Sequence, residues 1–175
     1  SQLFRHRKLP TRFTTEVTML TQNDKRTFGE TFSRYGYVMT TAQLTAEKLF
    51  YRDIQHMLDE GLIERVRWGY YHWINDHGAS EVIFINRLFP DAVLCMETAL
   101  FYYGYSRRTP AQWNIAIDIN VSRQRFKIDY PAIRAYRVKP ELLLLGETKG
   151  QIDLEDVRIY DRDRTICDVL RNMNR

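Results

Sequence analysis

The chain has 175 residues, of which 44% are apolar, enough to bury the core of one domain or of two small ones. No stretch approaches the roughly 18 apolar residues of a membrane span and no signal peptide is recognisable, so we expect a cytoplasmic protein without membrane contact. The formal net charge is +4, and residues 1–20, with four basic side chains against one acidic, hold +3 of it.

Residues 1–20 show no sustained apolar period, so we expect a flexible arm or, in part, a cloning remnant. Residues 21–75 carry seven basic and seven acidic side chains and are neutral. An argument for a nucleic-acid partner must therefore rest on where charges point rather than on their sum.

Residues 21–75 are predicted to form one domain with three helices. Phe28 and Phe32, four residues apart, predict a first helix over 25–35. Thr40 or Thr41 is expected to cap a short second helix, because a threonine hydroxyl can accept the free amides of a first turn. The third helix is predicted from Phe50 to Glu60.

The third helix has one apolar and one polar side. Its apolar stripe consists of Phe50, Ile54, Met57 and Leu58, and its opposite side of Arg52, Gln55, His56 and Asp59. Gly61 is expected to end it in a left-handed conformation. Residues 63–74, rich in β-branched and aromatic side chains, predict a hairpin whose tip lies near 67–70 and whose Tyr71 and Trp73 enter the core. Three helices followed by a hairpin outline a winged helix-turn-helix.

The polar segment 75–80 is the predicted boundary to a second domain over 81–175. Helices are expected over 81–89 and 91–104, separated by Pro90. Strands are expected over 113–121, 126–130, 133–138, 141–145 and 156–160, and a last helix is capped by Asp161 or Asp163. The fold class is therefore α+β, with an N-terminal winged helix-turn-helix and a mixed helix and short-strand C-terminal domain.

The outer side of the third helix carries side chains that can contact DNA. Arg52 can donate two hydrogen bonds to guanine, and Gln55 can pair with adenine in the same bidentate manner. Tyr51 and His56 are suited to phosphates or bases nearby. A solvated helix face also carries such residues, and phosphate would repel Asp53, Asp59 and Glu60, so we expect the segment 51–56 to face the groove.

The hairpin extends this candidate DNA-binding site. Arg65 and Arg67 stand two apart, which predicts one face of a strand, and they lead to Trp68 at the tip. An arginine there can enter a narrow minor groove, where the negative potential is strongest. Thr41, at the start of the second helix, completes the candidate contacts.

A second basic surface is predicted in the C-terminal domain. It can contact DNA backbone or RNA, or it can be a strand edge guarded by positive charge, and the sequence favours neither. Its members are Arg123, Arg125, Lys127, Arg134, Arg137 and Lys139.

Two observations bear on catalysis and cofactors. Asp118, Glu147 and Lys149 imitate the acidic and lysine residues of a metal-dependent nuclease, which is the alternative function. Gly146 and Gly150 flank the Glu-Thr-Lys segment, however, and favour a turn there. His72 and His77 are separated by four residues, but no cysteine or carboxylate cluster completes a ligand set with them, so we expect neither metal nor cofactor. Cys95 and Cys167 are expected as reduced thiols.

Three segments together resemble the AbiEi antitoxin family of bacterial abortive-infection, type IV toxin-antitoxin systems. The likeness covers roughly residues 27–171, and its most specific parts are "ETALFYYG" and "RTICDVLR" beside the winged-helix segment. The segments are "GYVMTTAQLTAEKLFYRDIQHMLDEGLIERVRWGYYHW", "FPDAVLCMETALFYYGYSRRTP" and "RIYDRDRTICDVLR".

The resemblance implies a phage-defence antitoxin that represses its own operon. Its winged helix would bind inverted repeats in the promoter, so two copies on the DNA are expected. Its C-terminal domain would oppose a nucleotidyltransferase toxin without forming a stable complex. Carried onto this chain, the recognition helix would be Phe50 to Glu60 and the wing Ile63 to Ile74, and no residue would be catalytic.

Overall fold

The computed structural model describes residues 19–74 and 80–173. The predicted arm therefore lies outside the described residues, apart from Met19 and Leu20, and so does most of the predicted boundary at 75–80. We refer to residues 19–74 as the N-terminal unit and to residues 80–173 as the second unit. No helix in these two ranges is long and apolar enough to cross a lipid bilayer.

The N-terminal unit packs three helices against one face of a small sheet. Strand β3 lies in the middle of the sheet and is antiparallel to both neighbours. Phe32, Leu44 and Met57 are fully buried between the helices and the sheet, and Tyr71 joins them. The elements are α1 (Gln22–Arg34), β1 (Val38–Thr40), α2 (Thr41–Ala46), α3 (Tyr51–Asp59), β2 (Ile63–Arg67) and β3 (Tyr70–Trp73).

Side chains at the helix ends explain these bounds. The hydroxyl of Thr40 accepts the N–H of Gln43 at 3.2 Å, and the Gln43 side chain accepts the N–H of Thr40 at 2.8 Å. This reciprocal pair is a capping box and confirms the predicted threonine cap. Gly61 follows α3 with φ +67°, as its position predicts, because a residue without Cβ adopts this conformation at little cost.

The second unit is built on a five-stranded mixed sheet in the order β6-β5-β4-β8-β7. Strands β5 and β6 are parallel, as are β4 and β8, and the other two pairs are antiparallel. The chain is thus α+β, as expected. The elements are α4 (Glu81–Leu88), β4 (Val93–Leu94), α5 (Met96–Tyr102), β5 (Trp113–Asp118), β6 (Ile133–Val138), α6 (Pro140–Leu143), β7 (Glu147–Ile152), β8 (Glu155–Tyr160) and α7 (Arg162–Met173).

Two apolar segments of the second unit were predicted wrongly. Residues 91–104 are not one helix, because β4 inserts between β5 and β8 and the helix begins only at Met96. Residues 141–145 are not a strand, because α6 begins at Pro140, whose fixed φ suits the first position of a helix. A continuous apolar run does not distinguish a buried strand from a helix.

Two polar segments were also predicted wrongly. Residues 126–130 form no strand, because Phe126 ends a 3₁₀ turn that begins at Arg123 and the next four residues are irregular. The segment expected as a turn around Glu147 is strand β7, which pairs along its whole length with β8. As an edge strand of the sheet, β7 tolerates polar side chains. The predicted cap of the last helix is confirmed, since Asp161 accepts the N–H of Arg164 at 2.8 Å.

The two units pack against each other through the sheet face that the helices α1 to α3 leave open. Val38 is 1% exposed and shares a core with Phe84 and Ile85 of α4. The rings of His72 and Phe84 lie 4.6 Å apart, and His72 also hydrogen-bonds Glu64 at 2.9 Å. One face of the N-terminal sheet is therefore occupied by the second unit.

Replacing Gly146 by alanine should destabilise the fold more than replacing Gly61. Both have positive φ, which costs an alanine about 1 to 2 kcal/mol. A Cβ at Gly146 would also lie 2.7 Å from Cβ of Arg164, whereas nothing lies within 4 Å at Gly61. Urea unfolding of Gly146→Ala and Gly61→Ala measures the difference, and equal losses of unfolding free energy would contradict this packing.

Candidate nucleic-acid interface

The outer side of α3 is open to solvent. Ile54 and Met57 are buried and hold the helix on the core of the N-terminal unit. Phe50, predicted in the same apolar stripe, instead precedes the first helical residue and is 57% exposed. The Tyr51 side chain is 77% exposed, and Arg52, on the side opposite Ile54, is also exposed. One turn further, Gln55 and His56 are partly exposed. The four predicted helix contacts are therefore available on one accessible surface, which we call the α3 face.

Two carboxylates of this helix are engaged within the unit. Asp53 accepts the N–H of Phe50 at 2.9 Å and so caps its own helix. Glu60 accepts the N–H of Leu20 at 2.7 Å and pairs with Nζ of Lys25 at 2.6 Å. The Lys25 hydrogen bond, followed by that of the Leu20 amide, lowers the pKa of Glu60. The repulsion of phosphate expected from Asp53 and Glu60 is thus partly offset by these donors.

The turn between β2 and β3 is fixed beside the start of α2. Gly69 has φ +76°, and its carbonyl accepts the N–H of Thr41 at 2.9 Å and the Thr41 hydroxyl at 3.4 Å. Trp68 beside it is 86% exposed. The Arg65 guanidinium lies 5.5 Å from the centre of the Trp68 ring and is exposed. The structure therefore brings Thr41, Arg65 and Trp68 together at this turn.

Arg67 does not belong to this group. The pairing register of β2 with β3 shifts between Arg65 and Arg67, which places Arg67 opposite Tyr70. Its guanidinium lies 4.1 Å from the Tyr70 ring centre and donates to the carbonyls of Leu88 and Arg125, each at 3.4 Å. The expectation that Arg65 and Arg67 share one face is wrong, because the irregularity breaks the alternation of side chains.

The predicted basic surface divides into internal and exposed residues. Arg125 forms two hydrogen bonds with Asp91, at 2.6 and 2.8 Å, and another with the Leu88 carbonyl at 3.3 Å. Arg137 donates to the carbonyls of Ile119 and Val121. The guanidinium groups of these two arginines are therefore engaged in hydrogen bonds within the second unit. The exposed members, around the edge strand β6, are Arg123, Lys127, Arg134 and Lys139.

The acidic residues of the alternative nuclease site are far apart. Asp118 ends β5 and Glu147 begins β7, and β4 and β8 lie between these strands. At about 4.8 Å between strands and about 3.3 Å per residue, their Cα atoms are roughly 20 Å apart. Glu147 is held by two hydrogen bonds from Arg158, at 2.6 and 2.9 Å, which lower its pKa.

No histidine, cysteine and carboxylate group of three or more that could hold a metal ion occurs in residues 19–74 and 80–173. His77 lies outside those ranges. Cys95 and Cys167 are free thiols, and burial raises the pKa of Cys95 well above its ordinary value. The α3 face and the turn at Trp68 offer hydrogen-bond donors, positive charge and aromatic surface.

Sequence reasoning missed Asp91 and the carbonyl of Leu88. Neither stands in a recognisable motif, and each acquires its role only when β2, the end of α4 and the 3₁₀ turn meet in space. A carbonyl acceptor carries no signal in the sequence, because every residue has one.

No model of a known protein family matches the chain, and no curated protein matches it significantly.

The ion pair of Asp91 with Arg125 should make stability depend on pH. Hydrogen bonds from Arg125 lower the pKa of Asp91 in the folded protein. The ion pair therefore stabilises the fold above the unfolded pKa of about 3.9, and this stabilisation is lost as the pH falls through the lower pKa of the folded state. We expect Asp91→Asn to cost roughly 1 kcal/mol at pH 7. Urea unfolding should show that the difference in unfolding free energy between this variant and the wild type becomes smaller near pH 3. Asp59→Asn, at an exposed aspartate, is the control, and a pH-independent difference would contradict the assignment.

Proposed function

We propose that the chain is a double-stranded-DNA-binding protein whose N-terminal unit is a winged helix-turn-helix. In this proposal α3 is the recognition helix and the β2–β3 hairpin is the wing. The chain order of helix, strand, two helices and hairpin, with β3 between β1 and β2, supports the assignment. The protein would act as a repressor of its own operon and as the antitoxin that its resemblance to the AbiEi family implies.

The observation that carries the proposal is the exposure of the α3 face together with the wing tip. Arg52 lies in the first turn of α3, where a recognition helix contacts base edges. Gln55 follows three residues later on the same side and can reach the next base pair. Arg65 and Trp68 extend the surface at the wing, where the arginine can meet a narrow minor groove.

The engaged carboxylates support one orientation of the helix. Asp53 and Glu60 have donors within the unit, and Asp59 lies in the last turn of α3. The N-terminal half of α3, from Tyr51 to His56, would therefore enter the major groove while the acidic end points away. Arg67 takes no part in this contact and instead positions the wing on the second unit.

The antitoxin part rests on the second unit and on the resemblance. The two family-like segments correspond to α5 and α7, which pack together, with Nδ2 of Asn172 3.8 Å from the sulfur of Met96. Ala99 and Thr165 within them are fully buried. These two side chains serve the core. In this proposal the second unit would oppose a nucleotidyltransferase toxin by binding or regulation rather than by catalysis. Two copies would bind an inverted repeat.

Arg52→Ala should weaken operator binding while leaving the fold intact. Loss of a bidentate base contact costs about 1 to 3 kcal/mol, and Arg52 is exposed, so unfolding in urea should not change. Fluorescence anisotropy with labelled DNA from upstream of the chain's own operon measures the affinity. Arg26→Ala, at an exposed arginine of α1, is the matched control. Equal affinity of the Arg52 variant and wild type would remove α3 from the interface.

The exposed basic residues near β6 are the candidates for contacts between the second unit and DNA phosphates. Replacing Arg123, Lys127 and Arg134 by glutamine should reduce the slope of log affinity against log salt by about 2 to 3, since each phosphate contact contributes about 0.9. Anisotropy at several salt concentrations gives the slope. An unchanged slope would leave these residues as guards of a sheet edge.

A further inference from the structure

The second unit contains a cavity to which neither α3 nor the wing contributes a residue. Its volume is about 400 Å³, within the range of small-ligand sites. Helix α5, the loop before β5 and strand β7 form its sides, and Glu81 of α4 contributes a carboxylate. A ligand bound there would therefore leave the proposed DNA surface free.

Aromatic side chains line this cavity. Phe101 is 43% exposed and Tyr102 is 37% exposed, and Trp113 lies beside them at the start of β5. The Tyr102 hydroxyl accepts the N–H of Gln151 at 3.3 Å, which fixes the ring on strand β7. Gly150 permits this approach, because a Cβ there would lie 2.8 Å from the hydroxyl oxygen. Such walls favour a flat aromatic ligand that can stack.

One carboxylate gives the cavity its polarity. Oε2 of Glu81 accepts the indole N–H of Trp113 at 2.6 Å. Burial, and then a hydrogen bond to Glu81, raise the pKa of Tyr130. These contacts orient the carboxylate, and its two oxygens offer about four acceptor positions, so it can accept further hydrogen bonds. A ligand that faces Glu81 must therefore present donors.

Two positively charged residues stand next to the cavity lining in the sequence. Arg107 and Arg108 are exposed and directly precede Thr109, the first of five consecutive lining residues. The hydroxyl of Ser106 accepts the N–H of Arg108 at 3.2 Å and shapes this loop. These two exposed arginines stand one and two residues before the lining segment, so their guanidinium groups can receive a phosphate attached to the ligand.

We propose that this cavity binds a nucleobase with adjacent N–H donors, of which guanine is the natural example. The base would stack on Tyr102 and Trp113 and donate to Glu81 from its ring N–H and amino group. Adenine presents a ring nitrogen acceptor, N1, where guanine presents its ring N–H, so this atom would face the carboxylate unfavourably. The base can come from a free nucleotide or from single-stranded RNA, whose unstacked bases bind aromatic side chains in the same way.

Calorimetric titration of the full chain with guanosine and adenosine monophosphate tests the proposal. Guanosine monophosphate should bind about tenfold or more tightly than adenosine monophosphate, because a hydrogen bond to a charged group is lost with adenine. Glu81→Gln keeps the shape and the acceptor for Trp113 but removes the charge, and it should lose that preference. Glu141→Gln, at an exposed glutamate of α6, should bind as wild type does.

A second variant separates binding from folding. Ala111→Trp fills the cavity from an exposed loop and should abolish binding while the circular dichroism spectrum stays unchanged. Absence of binding by the wild type, equal binding of the two nucleotides, or unaltered binding by both Glu81→Gln and Ala111→Trp would overturn the proposal. None of these three results bears on the DNA proposal, because the two sites share no residue.

The source of the base is decided with an oligouridine that contains one guanosine. Binding of this RNA more tightly than guanosine monophosphate, with all-uridine RNA inactive, assigns the site to RNA. Weaker or equal binding assigns it to the free nucleotide. Both results support a guanine site.

Discussion

The arrangement of the two units depends on the hydrogen bonds that converge on the carbonyl of Leu88. Arg67 from β2 and Arg125 from the 3₁₀ turn both donate to it, and both guanidinium groups lie 5.7 Å from the centre of the Phe89 ring. Two like charges so close together are tolerated because Asp91 pairs with Arg125 and the carbonyl of Arg125 accepts a further hydrogen bond from Arg67. This junction fixes the hairpin on the second unit and leaves Arg65, Trp68 and α3 facing solvent.

The N-terminal unit could be predicted from sequence because its signals are local. A threonine cap, a helical apolar stripe and a left-handed glycine each act within a few residues, and Thr40, Ile54 and Gly61 occupy the expected places. The candidate contacts on α3 could be found in the same way, since the burial of one helix side implies the exposure of the other.

Three features depend on contacts between distant parts of the chain and could not be predicted from the sequence. Strand β4 is only two residues long and is set by its neighbours β5 and β8, so its apolar segment carried no strand signal of its own. The register shift in β2 turned Arg67 from the predicted minor-groove contact into an internal donor. Glu81 and Tyr102 were not expected in a site, because the cavity between them exists only after β7 has joined the sheet.

DNase I footprinting on the DNA upstream of the chain's own operon tests most directly the proposed binding of a specific DNA site through α3 and the wing. Two protected half-sites of an inverted repeat are expected, with centres one helical turn, about 10 base pairs, or a multiple of it apart. Protection should occur at protein concentrations that leave unrelated DNA of the same length unprotected. The absence of a footprint, or equal protection of unrelated DNA, would contradict this proposal.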